Sequence, residues 1–583
     1  MSRTIRFFVC LAACFILIVS NGQADDSITP NPGPGVVLKS TPPGGWDIPD
    51  LEKRTLWGND ILVNWRSIVA GKYALPPDSQ GDILRIVLRG SVNLFAGDEV
   101  IALREMNYLL RENETGALFI ADDNDIEIIE FLWPPSHALI KAAGGEVPET
   151  APDPHAPLSS PSVTPGKAAY MGTVQYIMPE KGVLAKVIQG NYGQVCSMRY
   201  DPNMTGAPGT ATEERFIIVT GGSIGISVDG TSHPLETGDI LYVPAGSRYG
   251  YESGGEGCFT IEALGKPNPE YSRLLADRMR KFHEVIPEDT VAEVFVDGLH
   301  GDAPIGGPEG PSWLNGELYF SDQGGFGFHK VDRHGRHTLL KKEYMSVGTT
   351  PLGNGNLAVC EITVPFGAGE PPRGTIVEMT PDGDIVRTIA EKYDGNYVGI
   401  PNDLITDTRG GIYFTDPWGG RFPDRQKGSA VYYVRPGGDV IRVTEWDDVT
   451  FPNGCMMSPD GSTFFLGSNE KTIWMYDVAG DGGLSNKRPF CEVIIGDAEF
   501  AKETPKSFTD GIALDRDGNL YVVTRSGIQI FDTTGEYVGH IHIPHSNFHC
   551  VFGGADLSTL YVLAIGHVYS IQTNSPGFQY PIE

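Results

Sequence analysis

The most regular pattern in the chain is a short apolar strand segment that recurs through its second half. NGELYFSD (315–322), NGNLAVCE (354–361), GGIYFTDP (410–417), DGSTFFLGS (460–468), DGNLYVVT (517–524) and LSTLYVLA (557–564) lie about 40 to 57 residues apart. Most of them open on turn residues. Each is followed by a second strand pattern and another turn, as in TIVEMTPDGDIVRTI and IQIFDTTGEYVGHI. A unit of that length cannot bury both faces of its own sheet, so such units stack round a common axis. Six copies predict a six-bladed β-propeller over residues 284–583.

The first half carries a different pattern. ILRIVLRGSVNLFAG (83–97) and RFIIVTGGSIGISVDGTSHPLETGDILYVPAGSRYGY (215–251) each give an apolar strand ending on Gly, then an alternating strand, then a turn. Ile224, Ile226 and Val228 fall on one face of such a strand. These blocks predict two small antiparallel barrels, at 51–140 and 167–270. Pro-, Gly-, Asp- and Ser-rich stretches at 25–50 and 141–166 read as an arm and a linker. The expected fold class is all-β throughout.

The N-terminus changes the picture of where the protein works. Arg3 and Arg6 precede an apolar run of 13 residues, Phe7 to Val19, and Gly22-Gln23-Ala24 follows. That is the pattern of an export signal over 1–24, cut after Ala24, which predicts a periplasmic or secreted bacterial protein. Leu11-Ala12-Ala13-Cys14 has the form of a lipobox but sits inside the apolar run. No later segment has 18 consecutive apolar residues, so no membrane span is expected. A net charge of −30, from 74 acidic against 44 basic residues, argues against a nucleic-acid partner. Six cysteines follow the signal with no CxxC, open to buried thiols or to one or two disulfides.

A propeller brings equivalent positions of its inner strands to one channel, so shared polar offsets are informative. Asn402, Asn453 and Asp510 each stand eleven residues before the central aromatic of their repeat (Tyr413, Phe464, Tyr521), and Glu309 stands ten before Tyr319. The other two repeats show Val347 and Cys550 at this offset. Asn, Asp and Gly favour turns in any protein. Four equivalent oxygen donors in separate repeats point beyond turns, to a hard divalent cation.

The words around these positions carry a resemblance. EGPSW (309–313), PNDL with GGIYFTDP (401–417), FPNGCMMSPDGSTFF (451–465), TDGIALDRDGNLYVV (509–523) and FGGADLSTLYVLA (552–564) resemble the SMP-30/gluconolactonase/luciferin-regenerating-enzyme family. The resemblance implies Glu309, Asn453 and Asp510 as metal ligands and Asn402 as a contact for substrate or water. It implies Asp510 and Asn402 as catalytic residues, and hydrolysis of a sugar (aldono-)lactone as the activity. The implied cofactor is one divalent metal, Ca²⁺ first, with Mg²⁺, Mn²⁺ or Zn²⁺ also able to serve. Animal members carry Arg two positions before the Asn. Ile400 stands there in this chain, as in a bacterial gluconolactonase-like branch. Asp403 and His549 are further candidates for substrate binding beside Asn402, and Asn469 and Glu361 are weaker ones.

The paired blocks of the first half resemble a bicupin, of the ureidoglycine aminohydrolase kind. The second block keeps Glu214, Gly221, Gly238, Pro244 and Gly246. The positions where a metal-binding cupin has His hold residues 207–210 and Tyr249. A cupin region without catalysis is therefore expected, with a homo-oligomer through its barrels an open possibility. Two other readings stay open for the whole chain: an exported metal-containing binding or sensor protein, and an esterase acting on a non-sugar ester.

Overall fold

The computed structural model describes residues 37–38, 54–140 with short breaks, and 162–578 apart from 300–306, 365–372, 421–425, 496–508 and 525–526. The expected signal, and most of the arm and linker, lie outside the described residues. The chain is nearly all-β, and it divides into two compact units: residues 1–171 with 180–272, and residues 172–179 with 273–583.

In the first unit, a six-stranded and a four-stranded antiparallel sheet come from the first sequence block, apart from the edge strand Ala169–Tyr170 of the larger sheet. They enclose Val87, Leu94, Leu103, Leu109, Phe119 and Ile128, all buried. The second block is built on the long pair Arg215–Val228 with Arg248–Leu264, within a nine-stranded sheet. Both interiors contain a guanidinium. Arg85 donates from Nε to Glu130 at 2.9 Å and is paired with Glu114, while Asn64 Nδ2 donates to the second oxygen of Glu130 at 2.8 Å. Arg215 is paired with Glu213 and lies 3.4 Å from Glu262, under the ring of Tyr249. A buried cation at that place repels a metal ion.

Glu214, the acidic residue kept from the cupin pattern, is engaged elsewhere. Its carboxylate accepts the main-chain N–H groups of Asn59, Asp60 and Ile61 at 2.9, 2.6 and 3.1 Å, and the Tyr242 hydroxyl at 2.8 Å. Glu214→Ala is accordingly expected to destabilise the first unit by about 2 kcal/mol, because donors lose their acceptor. Glu214→Gln, which keeps one acceptor oxygen, is expected to cost less. The shift of the urea unfolding midpoint of the full chain checks both.

The helix Pro269–Val285 follows. Asn268 caps it, accepting the N–H groups of Glu270 and Tyr271 at 3.0 and 3.1 Å, and Pro269 occupies the first helical position, where its missing N–H costs nothing. Its last turns bury Phe282 and Val285 in the hydrophobic core of the second unit.

Among the described residues the second unit contains six antiparallel sheets of four or five strands, five of four and one of five, and a two-stranded ribbon at Lys392–Tyr393 and Asn396–Tyr397. The first strands of the six sheets are β1 (Pro308–Leu314), β2 (Ser346–Pro351), β3 (Leu404–Thr406), β4 (Cys455–Met457), β5 (Ile512–Asp515) and β6 (Asn547–Gly553). Each neighbours the next, and β6 returns to β1, so the six line a central channel as the blades of a propeller do. The sixth blade takes its outermost strand, Glu293–Asp297, from the start of the unit, with Val296 paired to Val568. This closes the ring by joining its two ends. Gly577 and Phe578 add a fifth strand beside Leu514 and Asp515.

Glycines set how tightly the inner strands approach. A Cβ on Gly348 would lie 2.5 Å from the Asn402 carbonyl oxygen, and one on Gly454 would lie 2.3 Å from that of Asp510. Gly310, at φ +54°, would place its Cβ 2.2 Å from the Val347 oxygen. The Gly348 N–H donates to Asn402 O at 2.8 Å and the Gly511 N–H to Phe548 O at 2.9 Å. Glycine thus permits backbone-to-backbone contact between successive blades, directly after the ring of polar positions.

Those equivalent hydrogen bonds also correct the offset in the sixth blade. Its ring position is Phe548, where sequence spacing gives Cys550. Ile512 pairs with Val522, ten residues on, whereas Cys550 pairs with Val562, twelve residues on, so the last hairpin is two residues longer. The six cysteines Cys196, Cys258, Cys360, Cys455, Cys491 and Cys550 are all buried free thiols.

Candidate active site

Glu309 is the second residue of β1, and Asn402, Asn453 and Asp510 each stand two residues before the start of β3, β4 and β5. The approach of successive blades brings the ring together at one mouth of the channel. Glu309 and Asn453 are buried, and Asn402 and Asp510 are partly exposed. Asn453 Nδ2 donates to Asp510 Oδ1 at 2.9 Å, which leaves the Asn453 carbonyl oxygen free to face a ligand. Asn402 is fixed through its main chain: its N–H donates to Thr415 O at 2.9 Å and its carbonyl accepts from Gly348.

The electrostatics of this ring are unbalanced. Burial pushes the Glu309 carboxyl up to about 7, although the His549 imidazole and the Gly310 N–H pull it down. Burial, and then the charge of Glu309, drive the Asp510 carboxyl well above the usual carboxylate range. Burial alone would lower His549, but Asp403, then Glu309 and Asp510, hold it up at about 9. Three carboxylates thus share one imidazole, and the site lacks positive charge. An oxygen-donor set with that deficit fits a divalent cation held by Glu309, Asn453 and Asp510. Among the described residues, no group of three or more His, Cys, Asp and Glu side chains forms a ready-made metal cage.

Asp403 and His549 lie one residue further along their strands than the ring. Asp403 Oδ2 accepts the Cys455 N–H at 2.8 Å, and Oδ1 stands 3.4 Å from His549 Nε2. Both residues also border a small pocket of about 50 Å³ whose other lining residues, such as Ser312, Thr350, Ile405, Met456 and Phe552, follow the ring along the inner strands. No ring residue lines that pocket, so it opens on the far side of the Asp403–His549 level.

Two features at the upper mouth escape sequence reading. Asp416 is fully buried and accepts the N–H groups of Gly399, Ile400 and Trp418 at 2.7, 3.2 and 3.2 Å, fixing the segment that leads into Asn402. Burial raises its carboxyl to about 6 against those three donors. Phe451, two residues before Asn453, has φ +54°, which is strained for an aromatic residue, and its ring meets Trp418 edge-on at 5.6 Å. The FTDP segment contains Asp416, but only the fold shows which N–H groups it serves. Asn469 donates its N–H to Thr450 O, and Glu361 accepts from Thr375 Oγ1 at 3.5 Å.

Six sheets round a channel, with carboxylates and carboxamides gathered at one mouth, define a β-propeller. Residues 307–566, within the second unit, match the family model described as the SMP-30/Gluconolactonase/LRE-like region. A gluconolactonase from Zymomonas mobilis is 28% identical over 206 residues, covering 32% of this chain and 54% of the relative. The chain thus spans about half the length of that relative. Among solved structures, a gluconolactonase from Xanthomonas campestris aligns at 24% identity over 50% of this chain and 92% of that one, with a TM-score of 0.41. A cupin 2 conserved barrel domain protein from Leptotrichia buccalis aligns at 13% identity over 41% of this chain and 91% of that one, with a TM-score of 0.25.

Proposed function

We propose that the chain is an exported hydrolase that opens a lactone ring, with sugar (aldono-)lactones as its substrate class and a divalent cation, Ca²⁺ first, as its cofactor. The observation that carries this reading is a pair of carboxylates that share the field of one imidazole, Glu309 and Asp510, with the Asn453 carboxamide bonded to Asp510 and, among the described residues, His549 the one cationic side chain that offsets them. Glu309, Asn453 and Asp510 would hold the cation. When bound, it would polarise the lactone carbonyl and acidify water.

The chain's own groups supply the rest. Asp510, pinned by Asn453, is positioned to take the proton of the attacking water as general base. Asn402 presents a carboxamide for the substrate's oxygens. Arg85 and Arg215 are each buried against carboxylates inside the first unit, which supports a non-catalytic role for it.

Stripping the full chain with EDTA is expected to abolish hydrolysis of D-glucono-δ-lactone followed by pH-stat, and added Ca²⁺ is expected to restore it. Unchanged turnover after stripping would remove the metal from the proposal. Turnover of phenyl acetate without any aldonolactone would replace the substrate class. Saturable lactone binding without turnover would make the protein a binding or sensor module.

A further inference from the structure

Asp403 and His549 meet across the channel. Asp403 belongs to the third blade and His549 to the sixth, three steps apart in a ring of six and so on opposite walls. Asp403 is 4% exposed and His549 8%. The Asp403 N–H donates to Thr415 Oγ1 at 3.0 Å, and its carboxylate reaches Cys455 N of the fourth blade at 2.8 Å and His549 Nε2 of the sixth at 3.4 Å. His549 accepts the Cys550 N–H on Nδ1 at 2.9 Å, and its ring lies against Gly511 of the fifth blade, where a Cβ would be 2.2 Å away. Four of the six blades thus meet at this pair.

Each meeting point adjoins a ring residue. Asn402 precedes Asp403, Asn453 stands two residues before Cys455, and Asp510 precedes Gly511. We propose that the Asp403–His549 pair is a strut across the channel that sets the spacing of the ring for its cation, and that neither residue contacts substrate. This rests on reading the ring as a cation site. Cation ligands must hold their distances to within about 0.2 Å, so a small change in channel width reaches the ligands directly.

The test uses the full chain with Asp403→Asn, His549→Gln and the double variant. Asp403→Asn keeps an acceptor for the Cys455 N–H and removes only the charge. Calorimetric titration of Ca²⁺ into stripped protein is expected to show at least tenfold weaker binding for each single variant. The double variant should be no more than threefold worse than the weaker single, because both changes break one strut. With D-glucono-δ-lactone, kcat should fall while KM stays within threefold. In metal-free buffer, the amides of Gly348 and Gly511, which bond to Asn402 O and Phe548 O, should exchange hydrogen at least tenfold faster in Asp403→Asn.

Unchanged Ca²⁺ affinity with a raised KM would make the two residues substrate contacts and overturn the strut, as would additive losses of Ca²⁺ affinity. If the parent protein binds none of Ca²⁺, Mn²⁺ or Mg²⁺, the cation reading fails. The exchange rates then decide the strut alone: faster exchange at both glycines supports it, and unchanged exchange overturns it.

Discussion

Asp510→Asn is expected to abolish lactone hydrolysis and, in the same protein, to make the metal-free fold more stable than the parent. The loss should be about 10³-fold or more, because the change removes both a cation ligand and the proposed base, and a bound metal supplies several kcal/mol at the transition state. The gain in stability comes from the opposite side of the same fact. Burial and the charge of Glu309 both disfavour the ionised form of Asp510. Asparagine keeps the acceptor for Asn453 Nδ2 and removes that charge, which should stabilise the stripped protein by on the order of 1 kcal/mol.

The sign can be checked with pH. The Glu309 carboxyl titrates at about 7 in the fold, above its ordinary 4.5, so folding favours its protonated form. Its contribution to stability is fully present below pH 4.5 and is lost as the pH rises through 7. The urea midpoint of stripped parent protein should therefore fall between pH 5 and 8, and Glu309→Gln should flatten that fall. Saturating Ca²⁺ should reverse the order of parent and Asp510→Asn, since only the parent gains binding energy. A variant that hydrolyses lactone at the parental rate, or that is less stable than the parent when stripped, would count against the site.

The repeat words of the second half made the strand order legible, because each blade's second strand is a continuous apolar run buried on both faces. Four ring residues were legible for the same reason: they stand at a fixed distance from those runs. That distance depends on hairpin length, and the longer hairpin of the last blade hid Phe548 behind Cys550. The strand Glu293–Asp297 was hidden differently, since its partner His567–Ser570 lies at the other end of the unit and no local pattern links them. In the barrels, the alternation of Ile224, Ile226 and Val228 gave the inward face. The buried charges of Arg85 and Arg215 have no local signal, because their partners Glu130 and Glu262 come from distant strands. Asp403 and His549 were legible as polar residues of the channel, but their pairing is a property of opposite blades.

Gly454→Ala and Gly348→Ala should be among the most damaging single-methyl changes in the chain. Neither glycine has a positive φ, so the cost is contact and not backbone strain. The added Cβ of residue 454 would lie 2.3 Å from the Asp510 oxygen and 2.9 Å from the Gly511 Cα, and that of residue 348 would lie 2.5 Å from the Asn402 oxygen and 2.9 Å from the Asp403 Cα. These obstacles are backbone atoms of the next blade, so no side chain can swing aside. The inner strands must part, at about 3 kcal/mol for each substitution. Gly437 supplies the control: nothing lies within 4 Å of its Cβ position, and Gly437→Ala should be neutral or stabilise by about 0.4–1 kcal/mol. Urea midpoints of the full chain separate the two classes. Because residue 454 pushes on the carbonyl of Asp510 and residue 348 on that of Asn402, parting the strands moves ring residues as well. Gly454→Ala should therefore lose Ca²⁺ affinity under conditions where it is still folded, and a protein that keeps both its stability and its Ca²⁺ affinity with alanine at 454 would show that the blades do not meet where these glycines stand.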